Sequence, residues 1–145
     1  MVEYLMRTFF RIVNLDSEMT DEVAILQDKL IVRGAREHNL KNVTLENVEI
    51  TDADETFWRV EDVRLKNVTL HDGTYPFMFA RNIYVDGLVS DSKYIFQYCE
   101  NVEVHRAKIT TKDSFWECEN VTVYDSELNG EYLAWHSKNI KLVRC

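Results

Sequence analysis

One signature recurs along most of the chain. An Asn or Asp is followed by Val or Ile, one residue is skipped, and then Leu or Val comes. It starts at Asn42, Asp62, Asn82, Asn101, Asn120 and Asn139, at spacings of 20, 20, 19, 19 and 19 residues. A fixed period of this length constrains the chain to a stack of similar coils. No single coil can bury its own apolar face, so neighbouring coils must do it together.

Numbering each coil from its Asn or Asp as zero, positions +1 and +3 read Val43/Leu45, Val63/Leu65, Ile83/Val85, Val102/Val104, Val121/Val123 and Ile140/Leu142. All are aliphatic and they alternate with polar residues, which is strand periodicity; a helix would need spacings of three and four. A second inward pair follows. Position +6 reads Val48, Val68, Leu88, Ala107, Ser126 and Cys145, and position +8 reads Ile50, Leu70, Ser90, Ile109 and Leu128. A third group precedes each Asn. Position −5 reads Phe57, Phe77, Phe96, Phe115 and Ala134, and position −2 reads Val60, Ala80, Cys99, Cys118 and Ser137. Each coil thus offers about three short inward segments separated by polar corners. Asn and Asp at position zero suit left-handed backbone and local hydrogen bonding. Stacked at the ~4.8 Å strand spacing, their side chains can bond from coil to coil as a ladder. Position +5 (Asn47, Asn67, Gly87, Arg106, Asp125, Arg144) is a second bend.

The pattern predicts an all-β fold, a right-handed parallel β-helix of about five to six coils over 42–145, with 1–41 as an N-terminal helical or irregular cap. The handedness rests on the general rule for parallel crossovers. The alternative is a leucine-rich-repeat-like solenoid, whose consensus Leu40-x-x-Val43-x-Leu45 imitates. That consensus requires Asn where position +6 lies here, and position +6 is never Asn.

Composition narrows the class. A length of 145 residues fits one domain, and one Pro with four Gly argues against disorder. A net charge of −8 disfavours nucleic acid and anionic membrane as partners. No stretch is long or apolar enough to span a bilayer, and Glu3 and Arg7 interrupt the apolar N-terminus, which makes it a poor signal peptide. Cys99, Cys118 and Cys145 have no zinc spacing. They read as small core residues in a reducing compartment, which points to the cytoplasm. Nothing calls for a cofactor or a metal. The glycosylation sequons at Asn42, Asn67 and Asn120 fall on the repeat, which accounts for them.

The first forty residues break the period. Thr20-Asp21-Glu22 before Val23, Ala24, Ile25 and Leu26 reads as a helix start, and a helix capping the sheet edge of the first coil is expected. At the other end the last repeat stops at Cys145, after its first strand. This predicts either a fragment or a homo-oligomer formed through the open coil end.

Two segments resemble known families. Residues 29–42 (Lys-Leu-Ile-Val-Arg-Gly-Ala-Arg-Glu-His-Asn-Leu-Lys-Asn) resemble the opening strand of the excinuclease A subunit, an ATPase of nucleotide-excision repair. Its phosphate-binding loop and zinc cysteines are absent, so the resemblance implies no active site here. From about Leu40 the chain resembles an uncharacterised bacterial family, domain-of-unknown-function family 3737 of the pectin-lyase-like group. The residues carrying this are Lys41-Asn-Val-Thr-Leu-Glu-Asn47, Cys99-Glu-Asn-Val-Glu-Val104, Asp113-Ser-Phe-Trp-Glu-Cys-Glu-Asn-Val-Thr-Val-Tyr-Asp125, Gly130-Glu-Tyr-Leu-Ala-Trp135 and Ser137-Lys-Asn139. The resemblance implies a parallel β-helix and no particular activity. The two resemblances meet at Leu40–Glu46, which suggests a separate origin for residues 1–41.

Three surface features are candidates for chemistry. The +4 column (Glu46, Lys66, Asp86, His105, Tyr124, Val143) alternates in charge and reads as a ladder of ion pairs between coils. Asp52, Asp72 and Asp91, with His71 alongside, fall at +10, +10 and +9. Stacked, they would crowd carboxylates, raise a pKa or attract a cation, as acid–base or calcium sites do. Against this, Asp is a favoured turn residue. Aromatics are the third feature: Trp58, Trp116 and Trp135 at position −4, and Tyr75, Tyr94 and Tyr132 at position −7. If −4 points outward they form a platform for sugar rings; if the bend turns −4 inward they are core. The leading expectation is a non-catalytic scaffold or binding module with carbohydrate as its partner. The alternative is a carbohydrate-active hydrolase or lyase using the stacked aspartates. An acidic DNA-mimicking solenoid is weaker, since Lys41, Lys66, Arg81, Arg106 and Lys138 interrupt any acidic stripe.

Overall fold

A computed structural model describes residues 40–145 in full, together with the backbone of residues 23–26 and 29–33. The alternation at +1 and +3 becomes the first strand of every coil: β3 (Lys41–Thr51), β4 (Glu61–Leu70), β5 (Arg81–Asp86), β7 (Glu100–His105), β10 (Glu119–Tyr124) and β13 (Lys138–Val143). Each pairs in parallel with its counterpart one period away, in register Val43↔Val63↔Ile83↔Val102↔Val121↔Ile140. The inward pair at +6 and +8 lies in the second halves of β3 and β4; in the next coils +8 lies in the separate short strands β6 (Val89–Ser90), β8 (Lys108–Thr110) and β11 (Glu127–Asn129), and the +6 residues Leu88, Ala107 and Ser126 stand just ahead of them. These also stack in parallel. A small third sheet joins β9 (Asp113–Ser114) to β12 (Tyr132–Leu133). The result is a parallel β-solenoid of about five turns with no helix among the described residues. A leucine-rich repeat would alternate strand with helix or 3₁₀ turn.

The N-terminal expectation needs correction. Val23–Leu26 (β1) is a strand, paired antiparallel with β2 (Lys29–Arg33). β2 then runs parallel to the second half of β3, Leu30 facing Val48. Backbone pairing therefore meets the edge that a helix was expected to cover. A row of unpaired N–H and C=O groups is satisfied best by another strand. The rest of the expected cap, residues 1–22, lies outside the described residues.

The inward columns are core as their periodicity implied, except in the last coil, where Leu142 and Cys145 are exposed. Val63, Leu65, Val68 and Leu70 of one coil lie at 1% exposure or less, over and under their equivalents. At the −5 column like stacks on like. The rings of Phe57, Phe77, Phe96 and Phe115 follow one another at centroid distances of 4.9, 4.7 and 5.2 Å, within 22° of parallel. The spacing is that of the strands, and each such contact adds ~0.5–1.5 kcal/mol beyond the area it buries.

The corners are left-handed. Every residue at position zero has φ between 53 and 61°, and every +5 residue is also left-handed. Four amide bonds run the ladder from Asn139 through Asn120, Asn101 and Asn82 to Asp62, at 2.9–3.1 Å. Asn67 repeats the bond to Asn47 at 3.0 Å. Gly87 ends that second ladder: at its φ of 74° a Cβ would stand 2.9 Å from the Asn67 Oδ1. Less expected are the left-handed Phe residues at −5 and their neighbours at −3, Arg59, Phe79, Tyr98, Glu117 and His136. This geometry costs an ordinary L-residue about 1–2 kcal/mol. It lets the −5 amides donate back one coil (Phe77 to the Thr56 carbonyl, 2.8 Å) while the −3 amides donate forward (Phe79 to the Gln97 carbonyl, 2.9 Å). Inter-coil bonding therefore continues through the bend.

Cys99 and Cys118 serve the same column. The Cys99 thiol donates to the Phe77 carbonyl at 2.6 Å and Cys118 to the Phe96 carbonyl at 2.8 Å; Ser137 does the same toward Phe115. Burial, and then the neighbouring Cys118, push the Cys99 thiol well above its usual range. Cys145 is exposed.

Two expectations follow. Phe96→Ala should remove about 3–5 kcal/mol of stability in urea denaturation, and Phe79→Ala, whose ring is 40% exposed, less than half as much. A thiol-alkylating reagent should label Cys145 in the native protein and reach Cys99 and Cys118 only in denaturant, as read by peptide mass mapping.

Candidate functional site

The aromatic columns converge on one face. An open cleft of about 400 Å³ is lined by Tyr75, Tyr94, Gln97, Tyr98, Lys112, Asp113, Trp116, Tyr132 and Trp135. Five of the six aromatics singled out in the sequence lie there. The exception, Trp58, is half-buried and donates its indole N–H to the Tyr75 carbonyl at 2.7 Å, beneath the cleft's near end. Tyr75 and Tyr94 stack at 4.9 Å, Trp116 and Trp135 at 5.3 Å, and Tyr132 tilts against Trp135 at 4.9 Å. Neither simple reading of position −4 holds alone. Trp58, Met78 and Trp116 are half-buried, Gln97 is buried and Trp135 is exposed. Burial at this position thus changes from coil to coil.

The polar groups of the cleft come from the columns the rings interrupt. Gln97 occupies the Trp position of its coil, and Asp113 occupies the Tyr position of its coil. Both are buried, at 6% and 4% exposure. The Oδ1 of Asp113 is buried without a hydrogen-bond partner. The Lys112 ammonium stands 5.8 Å over the Tyr94 ring, and the Tyr94 phenol, with Glu131, raises it above its ordinary range. Such a cleft, with mostly aromatic walls and a few converging polar groups, has the make-up of a small-molecule site.

Sequence reading missed Phe79 and Tyr98. They stack at 5.0 Å on the same side, with the Arg59 guanidinium over Phe79 and Trp58 edge-on to it. The signal was their shared −3 position. Its left-handed backbone, which turns these rings outward, follows from coil-to-coil bonding and not from local propensity.

The acidic corner is arranged differently from a stack of carboxylates. Asp52, Asp72 and Asp91 are all exposed, and Asp52 and Asp72 are left-handed corner residues. Asp91 accepts from His71 Nδ1 at 2.9 Å with one oxygen and from the Asp72 backbone N–H at 2.9 Å with the other. His71 Nε2 lies 4.0 Å from Glu49. Partial burial alone would raise the Asp91 carboxyl, but the His71 and Asp72 hydrogen bonds outweigh it and hold it below its ordinary 3.8. Among the described residues no three His, Cys, Asp or Glu side chains converge as metal ligands.

The +4 column forms only part of its expected ion ladder. Glu46 and Lys66 pair at 2.6 Å. Asp86 pairs instead with Arg106, a +5 residue, because the bend at Arg106 turns that guanidinium back over the preceding coil. Further along, Arg144 reaches back one coil to Asp125, itself a +5 residue, with a bond of 2.8 Å. His105 bonds Glu103 at 2.6 Å and stacks on Tyr124 at 4.7 Å.

The lowered Asp91 value has a pH consequence. A carboxyl with a depressed folded-state pKa contributes stability that is complete above its unfolded value and is lost as pH falls through the folded one. Asp91→Asn should therefore be less stable than the parent at neutral pH, and the difference should close as the pH falls from the carboxyl's ordinary 3.8 through its lowered folded-state value. Thermal unfolding followed across that range measures it.

A family model described as a protein of unknown function (DUF3737) matches residues 20–145. No curated protein and no solved structure matches the chain. Among the described residues no helix is long and apolar enough to cross a membrane. The match covers all of the coils and begins ahead of β1, so the chain belongs to the DUF3737 family.

Proposed function

We propose that this chain is a non-catalytic β-solenoid scaffold that binds carbohydrate in its aromatic cleft. The observation carrying this reading is the convergence of Tyr75, Tyr94, Trp116, Tyr132 and Trp135 around Gln97, Lys112 and Asp113. The apolar faces of sugar rings stack on aromatic side chains, while hydroxyls need donors and acceptors at the edge. The cleft offers both, and its volume of about 400 Å³ falls within the range of small-ligand sites. A solenoid also repeats its rings at a near-constant step, which suits a polymer of similar units.

The enzyme reading, with Asp52, Asp72, Asp91 and His71 as catalytic groups, draws less support. Both Asp91 oxygens are engaged in the corner, whereas a general acid–base pair needs two carboxyls facing one bond. The DNA-mimic reading loses ground to the Glu46–Lys66 and Asp86–Arg106 pairs, which break up the acidic surface. Three free thiols support a reducing, cytoplasmic setting. The stacked parallel coils support kinship with pectin-lyase-like helices.

A glycan array probed with the purified protein and with Trp116→Ala tests the reading. Binding by the parent, reduced about two- to tenfold in the variant, is expected, since stacking on one ring contributes on the order of 0.5–1.5 kcal/mol. Equal binding by both, or none by either, refutes it.

A further inference from the structure

We propose that Asp113 opens a slot one ring wide in the tyrosine column and anchors a neutral pyranose there; this rests on the carbohydrate reading above. The −7 column runs Tyr75, Tyr94, Asp113, Tyr132. Ile95 is bridged to Ser114, and Asp113 is paired with Tyr132, so these residues occupy successive levels of one column. Tyr75 and Tyr94 stack at 4.9 Å. At the next level the ring is replaced by a short carboxylate, and the following level carries Tyr132. Tyr94 and Tyr132 are therefore about two strand spacings apart, ~9.6 Å, with no ring between them; the Lys112 ammonium stands 5.8 Å from the Tyr94 centroid, over the face that Tyr75 leaves free.

Three observations define the occupant. Asp113 lines the cleft and is 4% exposed, yet its Oδ1 lacks a donor. A buried acceptor without a partner is unfavourable, and a ligand that moves the Lys112 side chain off the slot brings a hydroxyl within its reach and relieves it. A ring midway in that gap stands ~4.8 Å from each tyrosine level, more than the ~3.5–4.0 Å carbon contact of two flat rings. A puckered sugar ring fills that step better than a planar heterocycle. Charge then selects among sugars. The Asp113 carboxylate and nearby Glu131 disfavour a uronate, and the Lys112 ammonium, already over Tyr94, disfavours an amino group. A neutral, hydroxyl-rich ring remains.

Substitution at Asp113 tests the slot directly. The quenching of tryptophan fluorescence is titrated with cellohexaose, chitohexaose and trigalacturonate for the full chain and for Asp113→Tyr, Asp113→Ala and Asp113→Asn. Circular dichroism confirms the fold of each. The parent should bind a neutral hexamer and prefer it to the uronate. Asp113→Tyr, which refills the column, and Asp113→Ala, which removes the acceptor, should each weaken binding about tenfold or more. If those two variants unfold, Asp113→Asn decides. It keeps the shape but loses the charge, so its neutral-over-acidic preference should fall at least about threefold. Parent binding with unchanged affinities and preference in every folded variant overturns the slot and leaves the carbohydrate reading standing. A parent that responds to none of the three sugars overturns both.

Discussion

Coil-to-coil hydrogen bonding through the bends is the constraint on which this molecule depends. Parallel strands account for only part of each coil. The remainder turns at left-handed residues, and their amides point alternately to the coil before and the coil after, as Phe77 and Phe79 do. Without that alternation the bends would bury unpaired N–H groups, at ~1–3 kcal/mol each. With it, the bends stack at the same spacing as the strands. Every side-chain column then inherits a common step, and the stacking of like on like follows.

That inheritance explains why unlike residues play equivalent parts. Cys99, Cys118 and Ser137 occupy one column and make one bond, each donating to the carbonyl of a left-handed −5 residue in the preceding coil. Asn at position zero combines tolerance of φ near 57° with an amide that both donates and accepts, so it propagates a ladder, whereas the carboxylate of Asp62 can only accept from Asn82. The Phe column offsets its backbone strain by burying four stacked rings. Ala134 keeps the backbone but omits the ring, and the ring stack stops there.

The candidate site is a by-product of broken columns. Where every coil supplies the same residue, the surface is a filled ladder with nowhere for a ligand to enter. The cleft exists where Gln97, between Met78 and Trp116, interrupts the Trp column and Asp113, between Tyr94 and Tyr132, interrupts the Tyr column. Function in a solenoid is thus to be sought at departures from the repeat, which the regular coils hold in place.

The sequence by itself determined the period, the inward columns and the left-handed Asn corners, because these rest on local chemistry repeated at a constant interval. Val43, Val63 and Ile83 could be aligned on paper, and they pair in space. It also identified the aromatics of the cleft except Tyr98, as members of columns. Only the tertiary structure decided which way those columns face. Phe79 and Tyr98 point outward, and Trp116 lies half-buried, because the backbone at −5 and −3 is set by bonds to neighbouring coils. In the same way Asp91 turns toward His71 and the Asp72 amide, and not toward another carboxylate. The strand at Val23–Leu26 followed from an unpaired sheet edge in preference to its helical local signals. Bonds between coils join residues about twenty positions apart, and no local pattern contains them.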